Sequence, residues 1–483
     1  MKKISIKEKW NNTPITTKVS LSYTVCSILQ YGLNFITLPL FTRLLTTEQY
    51  GQSTIYTSWL SLLTIFLTLQ LPYGSFSRAM VKFEDKRDEY IAAVEGVCVS
   101  LACIFLLIYL PFNELWNKLF ELPTALVVFM VFEILSTAGI AFWSGKKRFE
   151  FRYKEVIAVT LITSVMSPIF QYILVVNSTE KGYARILGGT LVTILFGGCI
   201  FIRCAIRGKK LFHKEYWKYA FGFNIPLLAY YLSQMIFNSS DRIMISHMCG
   251  MDKSAIYGVA YSLAIMLTFV LNAINNSYVP WFYEKLKAGK QDESKSVSNA
   301  IAILMAILLL GVIWFAPEII GILAGKAYMD AKWIVPPVAM STLLLLYSQL
   351  SVNIEFFFEK KKYLVNASIG AAIINVVLNA LLIPLFGYYA AGYTTLFSYL
   401  IFAGANYCAM RKILKEKDIS SHGFDTKALL IILAAFITLG FVGMALYRFL
   451  IIRLVIAVVV LVLLLANYNK IMNYWRIIQS ENR

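Results

Sequence analysis

The stretch 297–317, VSNAIAILMAILLLGVIWFAP, runs without a single charge and follows Lys285, Lys287, Lys290 and Lys295. A hydrocarbon core about 30 Å thick needs about 20 residues of α-helix to cross it, so this segment reads as a transmembrane helix with a basic flank. The same pattern extends towards the N-terminus over 18–39, 52–73, 91–112, 124–144, 156–176, 185–206, 222–248 and 256–279. Towards the C-terminus it continues over 334–357, 364–386, 390–410, 427–447 and 451–469. The chain is therefore expected to be an all-α polytopic membrane protein of about fourteen spans. A hydrophobic content of 58% and a mean hydropathy of +0.65 exclude a soluble domain of 483 residues. The alternating pattern of an outer-membrane barrel is absent, which leaves the helical bundle of a cytoplasmic-type membrane.

Loop charge orients the spans. With a cytoplasmic N-terminus, 33 of the 45 Lys and Arg fall in cytoplasmic segments, among them Lys146, Lys147 and Arg148 after span 4 and Lys360, Lys361 and Lys362 after span 10. Both termini are then cytoplasmic, in the inner (plasma) membrane. This topology also accounts for the net charge of +18, which is spread over separate loops on one side and predicts anionic lipids, not nucleic acid, as partners. No signal peptide is expected, because the first apolar stretch is too long and lacks a small-residue cleavage site. Seven cysteines and three histidines sit without ligand spacing, so no metal site or cofactor is expected. Phosphate-binding and hydrolase motifs are missing too, which argues against an enzyme and against ATP-driven transport.

Laid over itself with an offset of about 207, the chain places Asp241 on Asn34 and Tyr257-Gly258 on Tyr50-Gly51. This weak repeat divides it into 1–210 (spans 1–6), 211–415 (spans 7–12) and an appendage, 416–483 (spans 13 and 14 with the tail). Polar rows at helical spacing mark the path. Span 1 carries Gln30 and Asn34, span 2 carries Thr54, Thr57, Ser61, Thr64 and Thr68 continued to Ser75 and Arg78, and span 7 carries Gln234, Asn238 and Asp241. Span 8 offers Tyr257 and Tyr261, and span 11 offers Ser368, Asn375 and Asn379. Ser and Thr also glue helices together, but rows recurring on the repeat partners favour a shared polar cavity.

Charges at membrane depth sharpen the picture, since burying them costs several kcal/mol. Glu133 lies mid-span 4, Asp241 and Arg242 lie in span 7, and Arg43, Arg185 and Arg78 lie at span ends. Neighbours on a helix point about 100° apart, so Asp241 and Arg242 do not pair, and Arg43 or Arg185 is the expected partner of Asp241. Asn375, Asn379, Thr394 and either Asn238 or Asp241 form an oxygen-rich set for Na+, and Glu133 and Asp241 are the groups for H+ coupling.

The run Leu38-Pro39-Leu40-Phe41-Thr42-Arg43-Leu44-Leu45-Thr46-Thr47-Glu48-Gln49-Tyr50-Gly51 resembles the helix 1–2 signature of polysaccharide repeat-unit flippases (Wzx type). Asn238-Ser239-Ser240-Asp241-Arg242-Ile243-Met244-Ile245-Ser246, followed by Ala255-Ile256-Tyr257-Gly258, resembles their helix 7 region. These proteins belong to the multidrug/oligosaccharidyl-lipid/polysaccharide exporter superfamily. The resemblance implies two six-helix lobes in a V around a cationic cavity, with Arg43, Arg78, Asp241 and Arg242 as functional positions. It implies alternating access for an undecaprenyl-diphosphate-linked oligosaccharide, with other polysaccharide-assembly membrane proteins as further partners. A lipid II flippase fits the same helix count, whereas the arginine excess speaks against a multidrug or cation antiporter. A membrane polymerase or ligase needs a longer external loop than 318–333.

Overall fold

The computed structural model describes residues 15–419, 421, 423–456 and 458, and among them the chain is helical with no strand. The first nine helices are α1 (Ile15–Leu44), α2 (Thr47–Thr68), α3 (Phe76–Lys82), α4 (Arg87–Tyr109), α5 (Asn113–Phe120), α6 (Thr124–Phe149), α7 (Tyr153–Val176), α8 (Lys181–Gly208) and α9 (Lys214–Asn224). Then come α10 (Leu228–Met235), a π-helical turn Ile236–Ser240, α11 (Asp241–Cys249), α12 (Met251–Ile265), α13 (Thr268–Lys287), α14 (Ser294–Trp314) and α15 (Ala316–Leu323). The last are α16 (Val335–Phe357), α17 (Lys361–Phe386), α18 (Ala390–Glu416), α19 (Thr426–Ala445) and a helical run over 450–456.

Ten helical segments among the described residues are long and apolar enough to span a membrane, which makes the chain a multi-pass membrane protein. The count is lower than fourteen for a physical reason. Helices α2 and α18, with 22 and 27 residues, have the length but carry the Ser/Thr/Asn rows that depress their hydropathy. The other two spans lie partly outside the described residues: in α1 the continuously described stretch is the apolar Phe35–Leu44, and span 14 is mostly beyond them.

The chain divides into two compact units, Met1–Met235 and Ile236–Arg483. In the first, α8 packs along α6 and α7 through glycines. A Cβ on Gly197 would stand 2.5 Å from the Ser136 carbonyl oxygen, and one on Gly188 would stand 2.6 Å from Gln171 Cα. Such close approach is how helices associate where lipid is as apolar as a core. Helix α2 starts on a capping box: the Thr46 hydroxyl accepts from Gln49 N and the Gln49 amide accepts from Thr46 N. It ends where Leu69 and Gln70 both turn left-handed, at φ of 48° and 52°. Asn224 braces this break by accepting from Ser75 N at 3.0 Å and donating to the Leu69 carbonyl at 3.0 Å. The polar row of α2 is therefore not continued to Ser75 and Arg78: Ser75 is buried beneath the break, and Arg78 rides on the separate helix α3.

In the second unit, α16 and α18 run together at the centre, and α19 packs on α14 and α16. Arg453 is 1% exposed and clamped bidentately by Glu318 at 2.7 and 2.8 Å. The Trp314 and Tyr447 carbonyls accept from the same guanidinium. Arg453 holds the Glu318 carboxyl below the usual carboxylate range.

The glycine seam generates a prediction. Gly197→Val forces α6 and α8 apart, whereas Gly311→Ala adds a methyl where nothing lies within 4 Å. The Val variant should lose most of its monodisperse material after detergent extraction and the Ala variant none, as read by fluorescence-detected gel filtration. A monodisperse Gly197→Val protein with unchanged melting temperature would show that the seam is not close-packed.

Candidate functional site

In each unit one acid within the spans is met by neutral donors only. In the second unit the acid is Asp241, 2% exposed at the start of α11, directly after the π turn. π turns interrupt the regular backbone ladder and recur at functional positions. Tyr257 of α12 donates to Asp241 Oδ2 at 2.5 Å and Thr395 of α18 donates to the same oxygen at 2.7 Å. Asn379 Nδ2 of α17 donates to Oδ1 at 2.6 Å. Asn379 is oriented in turn: its oxygen accepts from the Thr394 hydroxyl, and its amide also reaches Asn375 Oδ1 at 3.3 Å. Asn375 and Asn379 are fully buried.

The structure thus brings together Asp241, Tyr257, Asn375, Asn379 and Thr394, all of which the sequence singled out, and adds Thr395. Arginine is not what satisfies Asp241. Three neutral donors cover the carboxylate without burying a second charge, and Arg185 is stacked elsewhere, over Tyr50 at 4.2 Å and Phe41 at 4.8 Å. Adjacent Arg242 lies over the Tyr261 ring at 4.7 Å, with a buried Nε that no acceptor meets. Tyr261 also donates to exposed Asn238 at 3.1 Å.

In the first unit the acid is Glu133 of α6. Tyr56 of α2 and Thr190 of α8 both donate to its Oε2, at 2.6 and 2.8 Å. The site opens on a cavity of 220 Å³, lined among others by Ser53, Thr57, Gln171, Arg185 and Thr193. Arg185 keeps a buried Nη1 without a hydrogen-bond partner. Elsewhere in this unit Gln30 donates to Ser164 at 3.1 Å, Arg43 is exposed in the last turn of α1, and Gln234 is half-buried on α10. Exposed Arg78 lies over the Phe223 ring at 5.1 Å. The Asn34 side chain lies outside the described residues.

Two carboxylates in the spans escaped the sequence reading. Glu95 of α4 and Glu355 of α16 are buried, and neither oxygen of either meets a partner. They sit near span ends beside flanking charges, so nothing in the sequence distinguishes them from loop residues.

Comparison with known proteins adds three findings. Residues 16–286 match the family model described as "Polysaccharide biosynthesis protein". The "Lsg locus putative protein 1" of Haemophilus influenzae is 25% identical over 370 residues, covering 74% of this chain and 89% of that protein. Among solved structures, "Lipid II flippase MurJ, inward closed conformation" superposes with a TM-score of 0.69 at 14% identity, covering 93% of this chain and 99% of that one. An inward-facing multidrug resistance MATE transporter of the MOP superfamily follows at 0.64 and 12%, covering 81% and 96%. The fold is that of these flippases and transporters, and the family match spans more than half of the sequence. The chain belongs to the polysaccharide biosynthesis protein family.

Proposed function

We propose that the protein is a flippase that carries undecaprenyl-diphosphate-linked oligosaccharide repeat units from the inner to the outer leaflet of the cytoplasmic membrane. The observation that carries this reading is the coincidence of a polysaccharide biosynthesis sequence family with a transporter fold. The obstacle is the diphosphate, which cannot enter hydrocarbon, and guanidinium groups match it through paired N–H bonds. Arg43 and Arg78 are exposed, and Arg78 and Arg242 lie on aromatic rings that hold the guanidinium plane. The exposed Thr57 and Ser61 face of α2 is suited to sugar hydroxyls. A prenyl tail can stay in lipid throughout.

Energy enters, in this reading, at Asp241. Its surroundings suit Na+ or H+: a buried carboxylate, two amides and three hydroxyls, all oxygen-bearing groups of the kind a hard cation takes. Asn379 Nδ2 faces Asp241 here, and holding Na+ would require that amide to turn its oxygen inward. A proton would instead neutralise Asp241 within the same donor set.

A second reading has its own support. The likeness to the lipid II flippase structure favours a peptidoglycan precursor as cargo.

Three outcomes test these readings. In a deletion strain, mass spectrometry should find undecaprenyl-diphosphate-linked repeat units accumulating; accumulation of lipid II instead would select the second reading. Arg78→Lys and Arg242→Lys should transport worse than wild type and better than the Ala variants, because a topology anchor tolerates Lys and a diphosphate site does not. Losing one charge-assisted contact should cut flux by roughly tenfold, measured by complementation of surface polysaccharide with membrane levels matched. Full activity of both Ala variants would remove these arginines from the path. In proteoliposomes, replacing Na+ by choline or collapsing the pH gradient should slow flipping, and Asp241→Asn should abolish that dependence. A variant that keeps the ion response would move coupling away from Asp241.

A further inference from the structure

Among the groups lining the first-unit cavity, Glu133 and Arg185 have opposite hydrogen-bonding character, each keeps an atom without a partner, and they do not pair with each other; the Ser53 hydroxyl is unpartnered too. Glu133 takes both of its donors, Tyr56 and Thr190, on Oε2, and no donor reaches Oε1. Arg185 Nη1 is buried without an acceptor, while its guanidinium is fixed over Tyr50 and Phe41. The cavity is also lined by the Ser53, Thr57 and Thr193 hydroxyls and the Gln171 amide, each able both to donate and to accept.

A phosphate needs donors only, and a cation needs acceptors only. A ring bearing several hydroxyls needs both at once, at short spacing. At 220 Å³ the cavity falls below the roughly 300–1,000 Å³ of drug-sized sites, which limits the occupant to about one ring. Its aromatic element, Tyr56, is anchored by its own hydroxyl on Glu133, so the wall is rigid.

We infer that this cavity is a monosaccharide subsite, holding one sugar ring with hydroxyls donated to Glu133 Oε1 and accepted from Arg185. The inference rests on the flippase reading for its cargo but assigns a different part of that cargo to a different place. In this assignment the diphosphate is met by exposed arginines, and a sugar is read inside the first unit.

The test is direct binding to the full chain in nanodiscs by saturation-transfer NMR. The probes are methyl hexosides and methyl N-acetylhexosaminides, with inorganic phosphate and ethylamine as charge-only controls. At least one glycoside should receive saturation from wild type and from Lys326→Ala, a change in an exposed loop. Its affinity should fall by roughly tenfold or more in Glu133→Gln and Arg185→Gln, each losing one charge-assisted contact. Thermal unfolding of each variant identifies folding failures, and for those the competition of unlabelled glycoside on wild type decides. Phosphate or ethylamine competing as well as the glycoside overturns the assignment. So does the absence of glycoside binding to wild type, or binding unchanged in both variants. A chain that flips lipid-linked repeat units yet fails this test keeps the flippase reading and loses the subsite alone.

Discussion

Hydrocarbon offers no hydrogen bonds, and every polar group in this chain must find its partner within the protein. Most side chains obey this as the backbone does; the carboxylates of Glu95 and Glu355 are exceptions. Hydroxyls along α2 close on their own helix: Ser61 donates to the Thr57 carbonyl at 2.8 Å and Thr64 to the Leu60 carbonyl at 2.6 Å. The Trp314 indole reaches the Leu439 carbonyl and the Trp217 indole the Ala93 carbonyl. Against that background the few groups left open stand out. Nη1 of Arg185 and Nε of Arg242 meet no acceptor, and no donor reaches Oε1 of Glu133; ionisable groups left open at membrane depth are candidates for holding a ligand.

The same constraint explains why both acids are met by neutral partners. An arginine hydrogen-bonded to Asp241 would bring a further charge into the site whose desolvation the Coulomb attraction need not repay. Tyr257, Thr395 and Asn379 deliver the hydrogen bonds without that cost and leave the carboxylate free to change its charge state or its partner. A tight ion pair is the opposite device. Arg453 and Glu318 form one, and it serves to fasten.

Helices and their approximate limits were legible because apolar length and basic flanks are local properties. So was the set Asp241, Asn375, Asn379 and Thr394, since polar residues at helical spacing inside an apolar segment have few other uses. Tyr257 was legible as one member of a row, but its bond to Asp241 was not, because tertiary contact chooses among the members. Thr395 looked like any hydroxyl next to Thr394. The break at Leu69 and Gln70 was hidden, as neither residue type favours a left-handed backbone; it is held from a distance by Asn224. That is why the row on α2 seemed to run on to Arg78. The π turn before Asp241 has no sequence signature of its own either.

The clamp between Glu318 and Arg453 joins residues 135 positions apart. During synthesis at about 5–20 residues per second, Glu318 leaves the ribosome roughly 7–27 seconds before its partner exists. Over that interval α14 and α15 are in place while the carboxylate has no guanidinium, and the Trp314 carbonyl lacks one of its donors. The second unit is therefore closed by its last described segment, so a chain truncated before residue 453 carries an open clamp.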